Sequence, residues 1–384
     1  MQNFIYFVSI TILTFLYFKY NFQKKRNIRQ NPVARPDLTE CRKLADQGDA
    51  QAQTNLGHAY SEGIGVKQDF EMAVKYYKLA ADRGYAEAQN NLGALYKSGR
   101  GVKQDNKIAL KYFKLAADQG EPLAQANIAY MYYEGQGVKQ DYKLTAKYFK
   151  LSADQGYAAA QNNLGFLYKA GQGVKQDYKA ALKYFTLAAD QGEPLAQANL
   201  GELYHDGLGV KQDYEIAFKY FKLAADQGYS VAQLKVGYMY EDGIGVDPDG
   251  ELAVKYYQLA ADQGKALAQN NLGIFYRIGR GVKQDYKTAL EYFTLAANQG
   301  EALAQGNIGD MYYNGHGVKK DYEIAFKYYK LAADQGIAAA QNQVGMMYEK
   351  GIGVKQDYTL AFKYLKLATE QGHAYAQITS ESLN

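Results

Sequence analysis

Several stretches of this 384-residue chain carry residue types that do chemistry in other proteins. Asp247-Pro248-Asp249-Gly250-Glu251 gathers three carboxylates, the raw material of a calcium site. An EF-hand loop needs Asp-x-Asp/Asn-x-Asp/Asn-Gly and a distant glutamate, and that order is missing. A Pro-Asp-Gly turn that then caps a helix accounts for the same residues. Gly-x-Gly-Val occurs nine times, from Gly63-Ile64-Gly65-Val66 to Gly351-Ile352-Gly353-Val354, usually beside Lys or Arg, and such a loop before a helix invites an anion. A phosphate loop, however, needs Gly-x-x-x-x-Gly-Lys-Ser/Thr between a strand and a helix. A turn that uses glycine's positive φ is needed many times, an active site once. His58, His205, His316 and His373 stand far apart, none with a second histidine at ligand spacing. Cys41, the sole cysteine, cannot close an intrachain disulfide or build a cysteine zinc site. No nucleophile elbow, His-Glu-x-x-His or kinase-like set is present. The expectation is a protein without catalysis, cofactor or metal.

The elements that carry these residues follow from repetition. Glycine and tyrosine number 38 each and tryptophan is absent, a skew that signals internal copies. Glycine recurs every 36 residues from Gly48 to Gly372. Nine units result: 49–84, 85–120, 121–156, 157–192, 193–228, 229–264, 265–300, 301–336 and 337–372. A half unit, 37–48, precedes them as a cap, and a partial unit, 373–384, follows. In 85–120, Ala88, Leu92, Leu95 and Tyr96 recur at helical spacing, as do Ala109, Tyr112, Leu115 and Ala116. Leu92, Tyr96 and Leu115 are therefore expected in the core. Asp105 is placed to N-cap the second helix, and Gly120 to close it. Each unit reads as helix, turn, helix, and helix pairs that cannot bury both apolar stripes alone must stack into a solenoid. Glycine inside the first helix, from Gly57 to Gly345 with Ala129 as the exception, implies close helix packing.

Charge narrows the partners. The net charge is +4, residues 1–48 carry +5, and the remaining body is at −1. Rows of lysine on the second helices, Lys75 to Lys255, lie beside Tyr and Phe as in a nucleic-acid groove, yet acidic residues recur equally often. A solvated helix face, not nucleic acid, is expected there. The tyrosine columns Tyr60 to Tyr348 and Tyr76 to Tyr364 are expected to be packing.

Phe4 to Phe18 are almost continuously apolar, and Lys19, Lys24, Lys25, Arg26 and Arg29 follow. Within an expected anchor helix over residues 1–22, the run from Phe4 continued to Phe22 with Lys19 snorkelling would supply about 28 Å, enough for one span. No positive region precedes the run and no small-x-small site follows it, which favours an uncleaved anchor over a signal peptide. The basic stretch 23–36 then reads as a juxtamembrane linker that holds the array on the cytoplasmic side. An exported, periplasmic or lumenal array is the alternative.

The pattern Ala-x-Ala-Gln-x-Asn-Leu-Gly-x-x-Tyr, Gly-x-Gly-Val-x-x-Asp, Ala-x-x-Tyr-x-x-Leu-Ala-Ala-x-x-Gly resembles the Sel-one-like repeats, relatives of the tetratricopeptide repeats. The resemblance covers 49–372. It implies an all-α, α/α superhelical solenoid and an adaptor role in protein complexes. The disulfides of some bacterial members have no counterpart in a chain with one cysteine.

Binding is expected where the units differ. Units 4–6 and 7–9 read as two copies of one 108-residue block, so sameness records duplication as readily as physical need. Two first-helix columns vary. One runs His58, Ala94, Tyr130, Phe166, Glu202, Tyr238, Ile274, Asp310, Met346; the other, three residues on, runs Ser61, Lys97, Tyr133, Lys169, His205, Glu241, Arg277, Tyr313, Glu349. Three-residue spacing places both on one face, which the resemblance assigns to the concave groove. Tyr130, Tyr133, Phe166, Lys169, Glu202, His205, Tyr238, Glu241, Arg277, Asp310 and Tyr313 are the expected partner-binding residues, and a drifting solvent face is the alternative. The expected function is a membrane-tethered scaffold that binds protein or peptide segments. The alternative is an envelope protein that binds peptidoglycan or another glycan, or regulates a cell-wall enzyme.

Overall fold

The computed structural model describes residues 38–372, and among them every regular element is a helix. Leu38–Asp46 comes first, and nine helix pairs follow, from Ala50–Glu62 with Phe70–Ala81 to Ala338–Lys350 with Tyr358–Glu370. These nineteen helices form an all-α repeat solenoid. The expected span 1–22, linker 23–36 and tail 373–384 lie outside the described residues. Among those described, no helix is long and apolar enough to cross a membrane. The chain falls into two compact units that divide between Gln155 and Gly156. Repeats 1–3 lie in the first and repeats 4–9 in the second. Within each, a second helix packs on the first helix of its own repeat and on that of the next.

The turn between paired helices uses nearly every letter of its motif. First helices close on a left-handed glycine, with φ from 65° to 76° between Gly63 and Gly351. In repeats 2, 3 and 5 to 9 the second glycine of the turn backs onto the preceding repeat: a Cβ on Gly101 would collide with the Phe70 carbonyl. Gln104 Nε2 donates to the Lys97 carbonyl at 2.8 Å, satisfying a free helix end, and the same glutamine does so in seven repeats. Asp213 accepts from the Ile216 amide at 2.9 Å, and each of the nine second helices opens on such an aspartate.

Small residues let the paired helices meet. Gly201 faces the Phe221 ring so closely that a Cβ there would sit 2.8 Å away. Where helices pair, two tyrosines stack: Tyr60 on Tyr76, and so on to Tyr348 on Tyr364, with centroids 5.7 to 6.4 Å apart in all nine repeats. Both tyrosine columns are packing, as expected. A buried amide relay ties repeats together. Gln119 Nε2 donates to Gln89 Oε1 at 2.8 Å, and Gln89 Nε2 donates to the Ala81 carbonyl of the preceding repeat at 3.2 Å. The glutamine pair recurs in repeats 2 to 9. In repeat 1 Arg83 takes the donor's place and turns to the Gly48 carbonyl, leaving Gln53 Oε1 buried without a partner.

One core expectation is corrected. Leu92 is fully buried and Tyr96 half-buried, but Leu115 is 41% exposed. The inward slots of its helix are filled by Ala109, Phe113 and Ala116, each at 0% exposure. Leu115, one residue from Ala116, is turned about 100° away from them. The equivalent leucine is exposed in all nine repeats.

Candidate functional site

The first helix of each repeat carries both variable columns in its last two turns. All eleven expected residues are half-buried, so they form neither a fully solvated face nor a core. The structure joins four of them across repeat boundaries. Lys169 Nζ lies 2.6 Å from Glu202 Oε2, and Arg277 Nη1 lies 3.7 Å from Asp310 Oδ2. Both pairs link the later column of one repeat to the earlier column of the next, at equivalent places in the two 108-residue blocks. Arg277 also donates to Asn307 Oδ1 at 3.2 Å, and Asn307 donates to Asn270 Oδ1 at 2.9 Å. The same asparagine bond recurs from Asn127 to Asn90 and from Asn199 to Asn162.

The aromatic members divide by what they touch. Tyr130 meets the buried Phe149 edge-on at 5.1 Å, and Tyr238 meets the buried Tyr257 at 5.6 Å, so these two also support the core. Tyr133, His205 and Tyr313 lie edge-on against Tyr142, Tyr214 and Tyr322 at 5.4, 5.2 and 5.1 Å, and Tyr313 also tilts against the buried Tyr329 at 6.3 Å. Tyr214 and Tyr322 are themselves exposed, so these contacts form an aromatic rim. Phe166 packs against the cluster around Phe185 and Leu200.

Sequence reasoning missed the second-helix partners of this face. Tyr257 donates its hydroxyl to Glu241, whose other oxygen lies 3.7 Å from Arg280. Tyr329 donates to Asp310 Oδ1 at 2.7 Å. Burial first, and then the adjacent carboxylate, push both tyrosines above their ordinary range. Part of a signal existed: this ring is Phe in repeats 2, 3, 4, 5 and 7 and Tyr in repeats 1, 6 and 8, and repeats 6 and 8 carry a carboxylate, Glu241 or Asp310, that takes the hydroxyl. Repeat 9 has Glu349 but Leu365, and there Glu349 Oε2 is buried without a partner. Further along, burial lowers the Lys97 ammonium against the pull of Glu134. Burial, with Tyr142 and Glu134, pushes Tyr133 up to about 12.

The loops that suggested chemistry are structural. Asp249 N-caps its helix through the Leu252 amide at 2.9 Å, and the recess between Pro248–Glu251 and Arg280–Gly281 is shallow and open. The N-terminus of each second helix, where the Gly-x-Gly-Val turn would present an anion, already holds its own aspartate. No group of three His, Cys, Asp or Glu side chains converges as metal ligands among the described residues. His205 contacts Asp206 at 2.7 Å, His316 stacks on Tyr286 at 4.9 Å, and His58 is exposed. His373 lies outside the described residues. Cys41 is half-buried, its thiol pushed up by burial and then by Asp49.

The Sel1 repeat family profile matches nine consecutive segments, 50–85, 86–121, 122–157, 158–193, 194–229, 230–265, 266–301, 302–337 and 338–373. Their phase differs by one residue from that of the units above. Among solved structures, the chain is similar to a protective antigen of uropathogenic Escherichia coli strains that displays an SLR fold. Identity is 33% over 94% of this chain and 85% of that one, with a TM-score of 0.61. It is also similar to a Sel1 repeat protein of Oxalobacter formigenes, with 32% identity over 81% of this chain and 90% of that one, and a TM-score of 0.61. A search of curated proteins finds no significant match.

Proposed function

The chain belongs to the Sel1 repeat family, whose solenoids serve in general as non-catalytic protein–protein interaction scaffolds, and from that premise we propose that this one binds a protein or peptide segment along its first helices. One observation carries the reading. The repeated aspartates, tyrosines and glutamines are spent on caps, stacks and the amide relay, whereas the last two turns of the first helices vary in charge, size and aromatic content. The rim of Tyr133, His205 and Tyr313 supplies rings of the kind that dominate interface energetics. The apolar segment 1–22 tethers the array to a membrane, with the repeats on the cytoplasmic side.

The test is paired. A partner captured by cross-linking to the full chain is titrated against Tyr133→Ala, His205→Ala and Tyr313→Ala, singly and combined, and each variant is melted. The combined variant is expected to lose about tenfold or more in affinity, at roughly 2 kcal/mol for one hot spot, with a drop in midpoint, chiefly from Tyr313 against Tyr329, well below that of a core truncation. Leu92→Ala and Leu200→Ala are expected to do the reverse, costing about 2–5 kcal/mol of stability. If the rim variants melt like the core variants, or bind unchanged, the face is structural.

A further inference from the structure

The exposed leucines have company. In residues 156–372 they are Leu187, Leu223, Leu259, Leu295, Leu331 and Leu367, each 36 to 50% exposed. A single leucine left out of the core needs no explanation, but one at the same place in six successive repeats makes an apolar band. Four residues earlier on every second helix stands an exposed lysine, Lys183, Lys219, Lys255, Lys327 or Lys363, with Glu291 the exception. Three residues later stands an exposed carboxylate, Asp190, Asp226, Asp262, Asp334 or Glu370, with Asn298 the exception. Helix geometry puts these side chains about 6 Å below and about 4.5 Å above the leucine and within about 60° of it. The surface is therefore banded: basic, apolar, acidic.

The geometry points to a second copy of this chain as the occupant of that surface. With a twofold axis parallel to the bands, two copies face each other leucine on leucine, and each basic band meets the other's acidic band. The perpendicular axis would set lysine on lysine. Repeat 7 carries the independent evidence. It alone has lost both its lysine and its acid, to Glu291 and Asn298. Within one chain these two are two helical turns apart, about 10 Å, beyond direct contact. Across the twofold axis they are opposite, and Asn298 spares Glu291 a facing carboxylate. The lysines are also free for such a role: none joins an ion pair among the described residues, and Lys183, Lys255 and Lys363 rest over neighbouring tyrosine rings. Asp226 and Asp334 each pair with a lysine on their own helix, Lys222 or Lys330, and accept from a tyrosine hydroxyl, Tyr256 at 3.0 Å or Tyr364 at 3.2 Å, while staying exposed themselves. An anionic membrane would match the lysines but would be repelled by the acidic band.

The full chain in mild detergent is examined by sedimentation, and a mixture of isotopically light and heavy chains is treated with a zero-length carbodiimide cross-linker. The expected result is a dimer with mixed-isotope links between lysines such as Lys255 and carboxylates such as Asp262. Leu223→Lys combined with Leu259→Lys and Leu295→Lys is expected to weaken dimerisation by about tenfold or more, at unchanged helix content. Two further chains decide the matter if those variants fold poorly. Lys183→Glu/Lys255→Glu and Asp190→Lys/Asp262→Lys should each lose self-association, and their mixture should regain it. A monomer at all concentrations, links confined to single chains, a dimer indifferent to the leucines, or a mixture that stays apart would each overturn the proposal.

Discussion

At the scale of the residue, stability depends on whether each buried polar atom has a partner. Gln53 Oε1 lacks one because Arg83 stands where repeats 2 to 9 have glutamine. Arg83→Gln should complete the relay in repeat 1 and raise stability by about 1 kcal/mol, the net worth of one buried hydrogen bond, read as a higher denaturant midpoint at unchanged slope. The tyrosines set a pH limit. Tyr133 and Tyr229 are both pushed up to about 12, Tyr133 by burial with Tyr142 and Glu134, Tyr229 by burial with Glu202. An unfolded tyrosine ionises near pH ~10, so above that value the unfolded state binds fewer protons than the folded one. The stabilisation is complete below pH ~10 and should drain away as the pH rises towards ~12, which melting curves between those limits would show. A melting point that stays flat across that window would contradict the assignment.

At the scale of the element, the joint between paired helices is steric. Adding a methyl group at Gly273 would place it 2.5 Å from the Phe293 ring. Gly273→Ala should therefore cost about 1–3 kcal/mol despite alanine's better helix propensity, as measured by thermal or urea unfolding. A gain in stability would show that the two helices are not held at ring-on-backbone distance. Helix positions, turns and caps were legible because nine copies restate them: Asp105 means the same thing in every repeat, and Gly57 in all but repeat 3, which has Ala129. Leu115 was not legible, since Tyr112, Leu115 and Ala116 satisfy helical spacing as well as Ala109, Phe113 and Ala116 do. Only the packing of a neighbouring helix chooses between the two stripes. The variable face was legible as a pair of columns. Its ion pairs were hidden because Lys169 and Glu202 belong to different repeats, and Tyr257 because a ring at a core place does not announce its hydroxyl.

At the scale of the whole molecule, each repeat leans on its neighbours within its compact unit through one kind of interface. Deleting 265–300, one full period, should leave a folded chain, because repeats 6 and 8 then meet through the same joint. Deleting 283–300 removes one helix of a pair and should lower the midpoint sharply. Circular dichroism and calorimetry on both deletions provide the check, and equal damage would mean that stability is not a sum over neighbours. The amide relay has a consequence beyond folding. Its donor and acceptor lie 30 residues apart within one period, and the remaining donor needs only a main-chain carbonyl, which any preceding copy supplies. Unequal exchange between copies of the gene, in steps of 36 or 108 residues, would thus leave no amide orphaned in the product. The number of repeats is free to drift between lineages while the sequence of each joint stays fixed.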